Sequence, residues 1–360
     1  MQITRLDIRA LRSLRQFELA PAPGLNLITG DNGAGKTSVL EAIHLLAYGR
    51  SFRGRVREGL VNSDASALEV FAEWQDQSSQ RLRRAGLRHS GHAWEGRLDG
   101  APVTQLGDLC AALAAVTFEA GSHALVSGGG ESRRRYVDWG LFHVEHAFTA
   151  LWRRYARALK QRNRLLKQGG QADELDVWDR ELAESGEPLT RLRQRYLDDL
   201  QTLLQPLSLE LAPMLGMATF VFVPGWRRDE LSLADALLLA RDRDRAWGFT
   251  SVGAHRADWR IRHEALPNDE TRSRGQAKLT ALACVLAQAE HYVQQRQEWP
   301  VVLLDDLASE LDRAHQARVL QRLAAGAAQV FVTGTEAPAD AALAGLVTHR
   351  FHVEHGQLSR

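Results

Sequence analysis

The spacing of apolar and polar positions changes period twice along this chain. Residues 1–29 alternate, with Leu6, Ile8 and Ala10 and then Phe17 and Leu19 on one side. A period of two predicts two or three strands there. The apolar run Leu25-Asn26-Leu27-Ile28-Thr29 closes that stretch, and residues 38–46 read as a helix. Short strands are predicted at 68–74, 81–88 and 94–98, with Asp99-Gly100 as a hairpin turn. From about 145 to 209 the period becomes helical. Leu151, Tyr155, Ala158, Leu159, Leu165 and Leu166 precede a Gly169-Gly170 break, and Leu175, Leu182, Leu189, Tyr196 and Leu200 follow it. Two long charged helices in an antiparallel hairpin are expected, ended by Pro206 and Pro213.

The remainder returns to alternating strands and helices. Strands are expected at 220–223, 301–304 and 329–333, and helices at 232–241, 276–297 and 315–325. Continuous apolar strands separated by helices predict an α/β fold with a largely parallel sheet covered on both faces. The implied organisation is an N-terminal part (1–140), an inserted helical lobe (141–215) and a C-terminal part (216–360).

Between the first apolar strand and its helix lies Gly30-Asp31-Asn32-Gly33-Ala34-Gly35-Lys36-Thr37, followed by Ser38. This is the G-x-x-x-x-G-K-[ST] spacing of a phosphate-binding loop in its strand–turn–helix context. The glycines let backbone N–H groups aim inward at phosphate oxygens, and the helix presents its positive end to the same anion. Lys36 supplies a mobile charge for β- and γ-phosphates, and the Thr37 hydroxyl suits Mg²⁺. A second feature completes the arrangement. The strand at 301–304 ends in Asp305-Asp306, as in a Walker B motif, where Asp305 would hold Mg²⁺ and Asp306 could polarise the attacking water. Upstream, Ser273-Arg274-Gly275-Gln276 opens a helix, and Ser309-Glu310-Leu311-Asp312 follows the acids. A small polar residue and a glycine at a helix start can form a second anion site, with the nucleotide held between two subunits. An ordinary helix cap explains S-x-G-Q equally well.

Composition changes this picture little. In 360 residues, 25% are charged and 44% hydrophobic, ordinary for a chain with a real core. No apolar run approaches the roughly 18 residues of a membrane span, and the N-terminus reads as a strand and not as a signal peptide. Cys110 and Cys284 sit in Ala/Leu-rich surroundings, so inert buried thiols in a reducing cytoplasm are expected. Net charge is +1, which gives no global pull toward nucleic acid. The cations are distributed unevenly. Only four of the 45 basic residues are lysines (Lys36, Lys160, Lys167 and Lys278), and arginines cluster at 50, 53, 55 and 57, at 133–135, and at 153, 154 and 157. Phosphate contact needs cations within reach and carries no sequence code, so Arg50, Arg53, Arg55, Arg57, Arg133, Arg134 and Arg135 are candidate DNA contacts, and a solvated charged face is the alternative. His255 and Arg256 could line the nucleotide or the lobe, or serve structure alone. No His spacing suggests a metal site.

Together G-D-N-G-A-G-K-T, S-R-G-Q, L-L-D-D-L-A-S-E-L-D and F-V-T-G-T resemble the ABC-type ATPases of chromosome maintenance, the SMC-like superfamily. Residues 36–53, 133–139, 160–163, 253–258 and 351–356 bring the chain closest to the bacterial RecF family of recombination-repair proteins. The family usually has proline where this chain carries Ala120, Gly130 and Ala254, so those loops are expected to be looser. The resemblance implies an ABC-type ATPase head with a mixed sheet. Gly30, Asn32, Gly33, Gly35, Lys36, Thr37 and Ser38 would bind ATP phosphates, Asp305 would take Mg²⁺, and Asp306 would act as catalytic acid/base. Ser273, Gly275 and Gln276 would reach the γ-phosphate in an opposing protomer, and Thr333 would stand at the switch position. It further implies an ATP-dependent homodimer on double-stranded DNA near single-strand gaps and slow ATP hydrolysis. RecR, RecO and RecA would be pathway partners in DNA repair and replication. A transporter-coupled ATPase would keep Thr37 and Asp305 much closer and leave a membrane-coupling segment. A nuclease would need a metal cluster outside the nucleotide site, and an inert scaffold would not need Lys36, Thr37 and Asp305 together.

Overall fold

The computed structural model describes residues 1–53, 59–77, 79–266 and 272–359. The chain folds as two compact units, Met1–Ser122 with Gln288–Arg360, and His123–Ala287.

The first unit opens with β1 (Gln2–Leu11), β2 (Leu14–Leu19) and β3 (Leu25–Thr29), then α1 (Lys36–Tyr48). β4 (Leu68–Gln75), β5 (Leu82–His89), β6 (Trp94–Leu98) and β7 (Ala101–Val103) follow, then α2 (Leu106–Ala112) and β8 (Ala115–Phe118). From Arg5 on, β1 alternates as its period requires, with Leu6 and Ile8 fully buried while Arg5 and Arg9 face solvent, and a register shift between Ile3 and Arg5 lets Ile3 be buried as well. These strands build an antiparallel sheet in the order β2-β1-β4-β5-β6-β7, with Trp74 of β4 fully buried. β3 and β8 belong to a different sheet.

The second unit begins with α3 (Ala124–Ser127) and α4 (Gly130–Val144), then α5 (Phe148–Gln168) and α6 (Ala172–Leu211). α5 and α6 form the expected hairpin across Gly169, whose φ of 71° suits a left-handed helix end. Pro206 does not end α6, contrary to its sequence expectation, and Pro188 also lies inside it. Leu200, Leu204, Leu207 and Leu211 are buried on both sides of Pro206. Four leucines buried at roughly 1.5–3 kcal/mol each outweigh about 3 kcal/mol for an interior proline. β9 (Ala218–Val223) pairs antiparallel with β10 (Asp258–His263). The helix expected at 232–241 is α7 (Leu233–Leu239), and a second helix with no sequence expectation, α8 (Arg241–Trp247), follows it across Ala240. The bend carries the fully buried Asp244 to Arg162, which also pairs with Asp179. Long α9 (Arg274–Arg296) leads out of this unit.

Back in the first unit come β11 (Val301–Leu304), α10 (Leu307–Glu310), α11 (Arg313–Ala325), β12 (Val330–Gly334), α12 (Asp340–Leu343), β13 (Thr348–Glu354) and β14 (Gln357–Ser359). They complete a sheet ordered β14-β13-β3-β12-β11-β8. All its pairings are parallel except β13 with β14. Val301–Leu304 is buried along its whole length, as a strand covered on both faces must be. β8 and α4 had no sequence expectation. β8 is only four residues long, and α4 has charged and apolar positions interleaved.

Two consequences of packing in the second unit can be measured. Gly140 lies mid-helix in α4, where alanine would ordinarily gain about 1 kcal/mol. Here a Cβ would fall 1.8 Å from the Tyr196 hydroxyl and 2.1 Å from its ring. Gly140→Ala should therefore lose about 1–3 kcal/mol, seen as a lower melting temperature; an unchanged or higher one would contradict this packing. Burial also depresses His255 and His263, each to about 4. In the unfolded chain each protonates near the ordinary value of about 6.5. Their contribution is complete above that pH and is lost as pH falls from there toward 4. Urea unfolding at about pH 5.5 should show a loss of about 1 kcal/mol per histidine relative to neutral pH, and His255→Gln should reduce that dependence.

Candidate functional site

Parallel strands put their carboxyl ends along one sheet edge, and the loops leaving that edge carry the site. β3 lies between β13 and β12, and β11 lies beyond β12. The loop 30–35 leaves β3 and enters α1. Gly30 has φ 150°, and a Cβ there would sit 2.1 Å from the Val353 carbonyl oxygen. Gly35, at φ 111°, would drive one to 2.5 Å from Leu14 Cδ2. Both positions demand glycine on steric grounds. The β13–β14 turn pins the loop from outside, where Gly356 N–H donates to the Ala34 carbonyl at 3.0 Å.

Lys36 is almost wholly buried. Its Nζ donates to the Gly30 carbonyl at 2.7 Å and the Asp31 carbonyl at 2.8 Å, so the ammonium cross-braces the loop. Ser38 and Ala34 are buried too, whereas Asp31, Asn32 and Gly33 stand in solvent at the tip. The Ser38 N–H is spent on Gly35 O at 2.9 Å.

Asp305 follows β11, and Thr333 ends the strand between β11 and β3. The Thr333 hydroxyl donates to Asp305 Oδ1 at 2.7 Å and accepts from the Asp306 N–H at 2.9 Å. Thr37 hydrogen-bonds the same Asp305 carboxylate. The structure thus brings Thr37, Asp305, Asp306 and Thr333 to one place. Burial raises the Asp305 pKa above the ordinary carboxylate range; the Thr333 and Thr37 hydrogen bonds and the charge of Arg53 oppose this, and the charge of Asp306 adds to it. Asp306 is exposed and takes a left-handed backbone conformation, φ 51°, uncommon outside glycine. Ser309 holds its carboxylate, donating to Oδ2 at 2.5 Å.

One supporting group had no sequence expectation. Glu41 on α1 is fully buried and receives both arms of the Arg12 guanidinium at 2.7 Å. Ser51 also donates to it, and Arg53 stands 3.9 Å away. A lone carboxylate within the otherwise apolar face of α1 was the available signal. This buried pair ties the start of the arginine-bearing loop to the helix behind Lys36. Of that cluster, Arg50 and Arg53 are placed, and Arg55 and Arg57 lie outside the described residues.

The remaining candidates belong to the second unit. Ser273 and Gln276 cap α9 reciprocally: Gln276 Oε1 accepts from the Ser273 N–H at 2.8 Å, and Ser273 Oγ from the Gln276 N–H at 3.2 Å. Gly275 is exposed, and a Cβ there would meet only Ser273 Oγ, at 4.0 Å. Arg133 is largely buried with both guanidinium arms on Asp258, at 2.7 and 2.8 Å. Arg134 donates to the Ala257 carbonyl, and exposed Arg135 pairs with Glu131. Asp258 is held below the ordinary range: burial raises it, but the Arg133 hydrogen bond and charge prevail. Cys110 and Cys284 are buried free thiols, and burial raises Cys110 to about 11. Among the described residues no group of three or more His, Cys, Asp or Glu could hold a metal, and no helix is long and apolar enough to cross a membrane.

A family model described as the RecF/RecN/SMC N terminal domain matches residues 2–349. The DNA replication and repair protein RecF of Stenotrophomonas maltophilia (strain R551-3) is 66% identical over 363 residues, covering 99% of each chain. The chain belongs to the RecF family. RecF of Xanthomonas oryzae pv. oryzae (strain MAFF 311018) is 65% identical over 361 residues, covering 99% of this chain and 100% of its own. Among solved structures, the recombination mediator protein RecF-ATP in the RecFOR pathway matches with a TM-score of 0.88 at 25% identity, over 99% of this chain and 97% of that one. Membership of RecF places the chain among DNA replication and repair proteins with an ATPase-type α/β head and a helical insertion.

Thr333 is the joint of the placed constellation. Thr333→Val keeps the volume and removes both hydrogen bonds, so it should cost about 1–3 kcal/mol in urea unfolding. An unchanged midpoint would show that the two acids are held some other way.

Proposed function

We propose that this RecF chain is an ATP-gated DNA-binding clamp of recombinational gap repair, carried above all by the meeting of Thr37, Asp305, Asp306 and Thr333 behind a glycine-forced loop. Backbone N–H groups among residues 30–37, other than the Ala34 N–H already bonded to Asp31 O, would receive the β- and γ-phosphates, and Lys36 would exchange its two carbonyl partners for phosphate oxygens. Thr37 and Asp305 would hold Mg²⁺. Phosphate oxygens and waters would complete its shell, which is the usual habit of magnesium. Bound magnesium supplies charge neutralisation on the phosphates. Asp306, held by Ser309 and free to reach solvent, would orient water and take its proton. In this reading hydrolysis is slow and DNA-stimulated, and it resets the switch.

Gly275 supports the dimer. Nothing in its own surroundings excludes a side chain, so the glycine fits a partner surface approaching the α9 start, where a second protomer's phosphates would lie. The two-protomer assembly would bind double-stranded DNA beside single-strand gaps through arginines among Arg50, Arg53, Arg134 and Arg135. RecR and RecO would be its partners in loading RecA in the cytoplasm. Arg133, committed to Asp258, is the weakest of those DNA candidates.

Light scattering with and without ATP tests the gate. Lys36→Ala should abolish the ATP-driven dimer, and Ser273→Arg should leave ATP binding intact while blocking dimerisation. An ATP-bound dimer of either variant, at wild-type strength, would overturn the reading.

A further inference from the structure

The turn between β13 and β14 makes a contact that the pairing of those two strands does not require. Glu354 pairs with Gln357, so His355 and Gly356 form a two-residue turn, and both have positive φ, 49° and 77°. A hairpin turn with that pair of signs matches the twist of its strands and favours glycine. Gly356 is buried, although Glu354, His355 and Gln357 around it are exposed. It is enclosed by the 30–35 loop and by the turn between β1 and β2. A Cβ on Gly356 would lie 2.7 Å from the Ser13 carbonyl oxygen and 3.7 Å from Leu14 Cα. The same two residues stand against Gly35, whose Cβ would meet Ser13 Oγ at 3.3 Å as well as Leu14. Three turns converge here, and Gly356 fits against the other two only without a side chain.

The contact has a direction. Gly356 N–H donates to the Ala34 carbonyl at 3.0 Å. The carbonyls of Gly30 and Asp31 take Lys36, and that of Gly35 takes the Ser38 and Val39 N–H groups. Those donors all lie within the loop and its helix, whereas the donor to Ala34 comes from another pair of strands. Each peptide unit is planar and trans, with its C=O and N–H pointing opposite ways. With the Ala34 oxygen drawn out to the hairpin, the Gly35 N–H of the same unit is turned to the other side. The Ala34 N–H is itself tied to the Asp31 carbonyl at 3.1 Å, which fixes the preceding unit. Glycine at 35 puts little restraint of its own on this plane. Freed from Gly356, the unit could turn over and set an oxygen where a hydrogen had been.

We infer that Gly356 is a positioning residue for the nucleotide: through the Ala34 carbonyl it keeps the Gly35 N–H directed at the phosphates. The role rests on the reading of residues 30–37 as an ATP site and deepens it, by naming what sets the orientation of one donor. An oxygen in that place would repel an anionic phosphate. The fold, with its sheet pairings untouched, would lose only one hydrogen bond.

Equilibrium binding of a fluorescent ATP analogue, with hydrolysis measured at saturating ATP and duplex DNA, tests the role. Gly356→Ala should weaken nucleotide binding about tenfold, the scale of one hydrogen bond to a charged group, with the saturated rate unchanged. Such a split marks an interaction already made in the ground state. Gly345→Ala is the control. Gly345 has the same φ, 77°, and nothing within 4 Å of its Cβ position, so alanine there carries the backbone strain without the contact. It should bind nucleotide as the wild type does. A second measurement needs no variant. In the wild type, hydrogen exchange at the Gly356 amide should slow when ATP is added, because coupling between hairpin and site is reciprocal. Wild-type affinity in Gly356→Ala, or exchange at Gly356 indifferent to ATP, would overturn the positioning role and leave the ATP site standing. An equal loss in Gly345→Ala would overturn it too, by showing a general response to strain. A wild type that binds no ATP would overturn the ATP site itself, and the role with it.

Discussion

A single buried hydroxyl holds the arrangement together. Thr333 ends β12, the strand lying between β3 and β11, and its oxygen serves both acids at once. Asp305 is destabilised as an anion by burial, and the opposing contributions are hydrogen bonds from Thr333 and Thr37 and the charge of Arg53. A charged carboxylate can persist at that depth only while those partners stay in register. The register comes from the sheet. Leu304 pairs with Val332, and Thr333 with Ile28, so the three strand ends are level before any side chain is considered.

The loop depends on the same sheet through sterics. Gly30 has no room for a side chain because Val353 on β13 crowds it, and Gly35 none because Leu14 does. Glycines usually read as giving a phosphate loop its conformational freedom here also let neighbouring strands approach. Lys36 completes the brace by donating to two loop carbonyls. A chain built this way fixes the conformation of the 30–35 loop as a consequence of packing.

Where the signals were local, the sequence was legible. The alternation of residues 1–29, the helical hairpin around Gly169 and the apolar strand before Asp305 each need only their own neighbours to be read. Contributions from distant residues were not legible. Pro206 reads as a helix stop until buried leucines on both sides outweigh it. The short charged helix α8 was not read at all, because what holds it is Asp244 turned inward to Arg162, 82 positions away. Arg133 looks like a free surface cation until Asp258, 125 positions on, takes both its arms. Glu41 gave a sign, a carboxylate among apolar residues, but its partner Arg12 could not be named from spacing. The cap at Ser273 was readable as a cap.

The account turns on nucleotide controlling the grip on double helix. Duplex-DNA anisotropy of the unaltered protein, measured with ATP, with ADP and without nucleotide across a salt series, tests this most directly. Tight, salt-sensitive binding with ATP alone, falling away with ADP and in its absence, is the predicted result. Equal affinity in all three conditions would contradict the account.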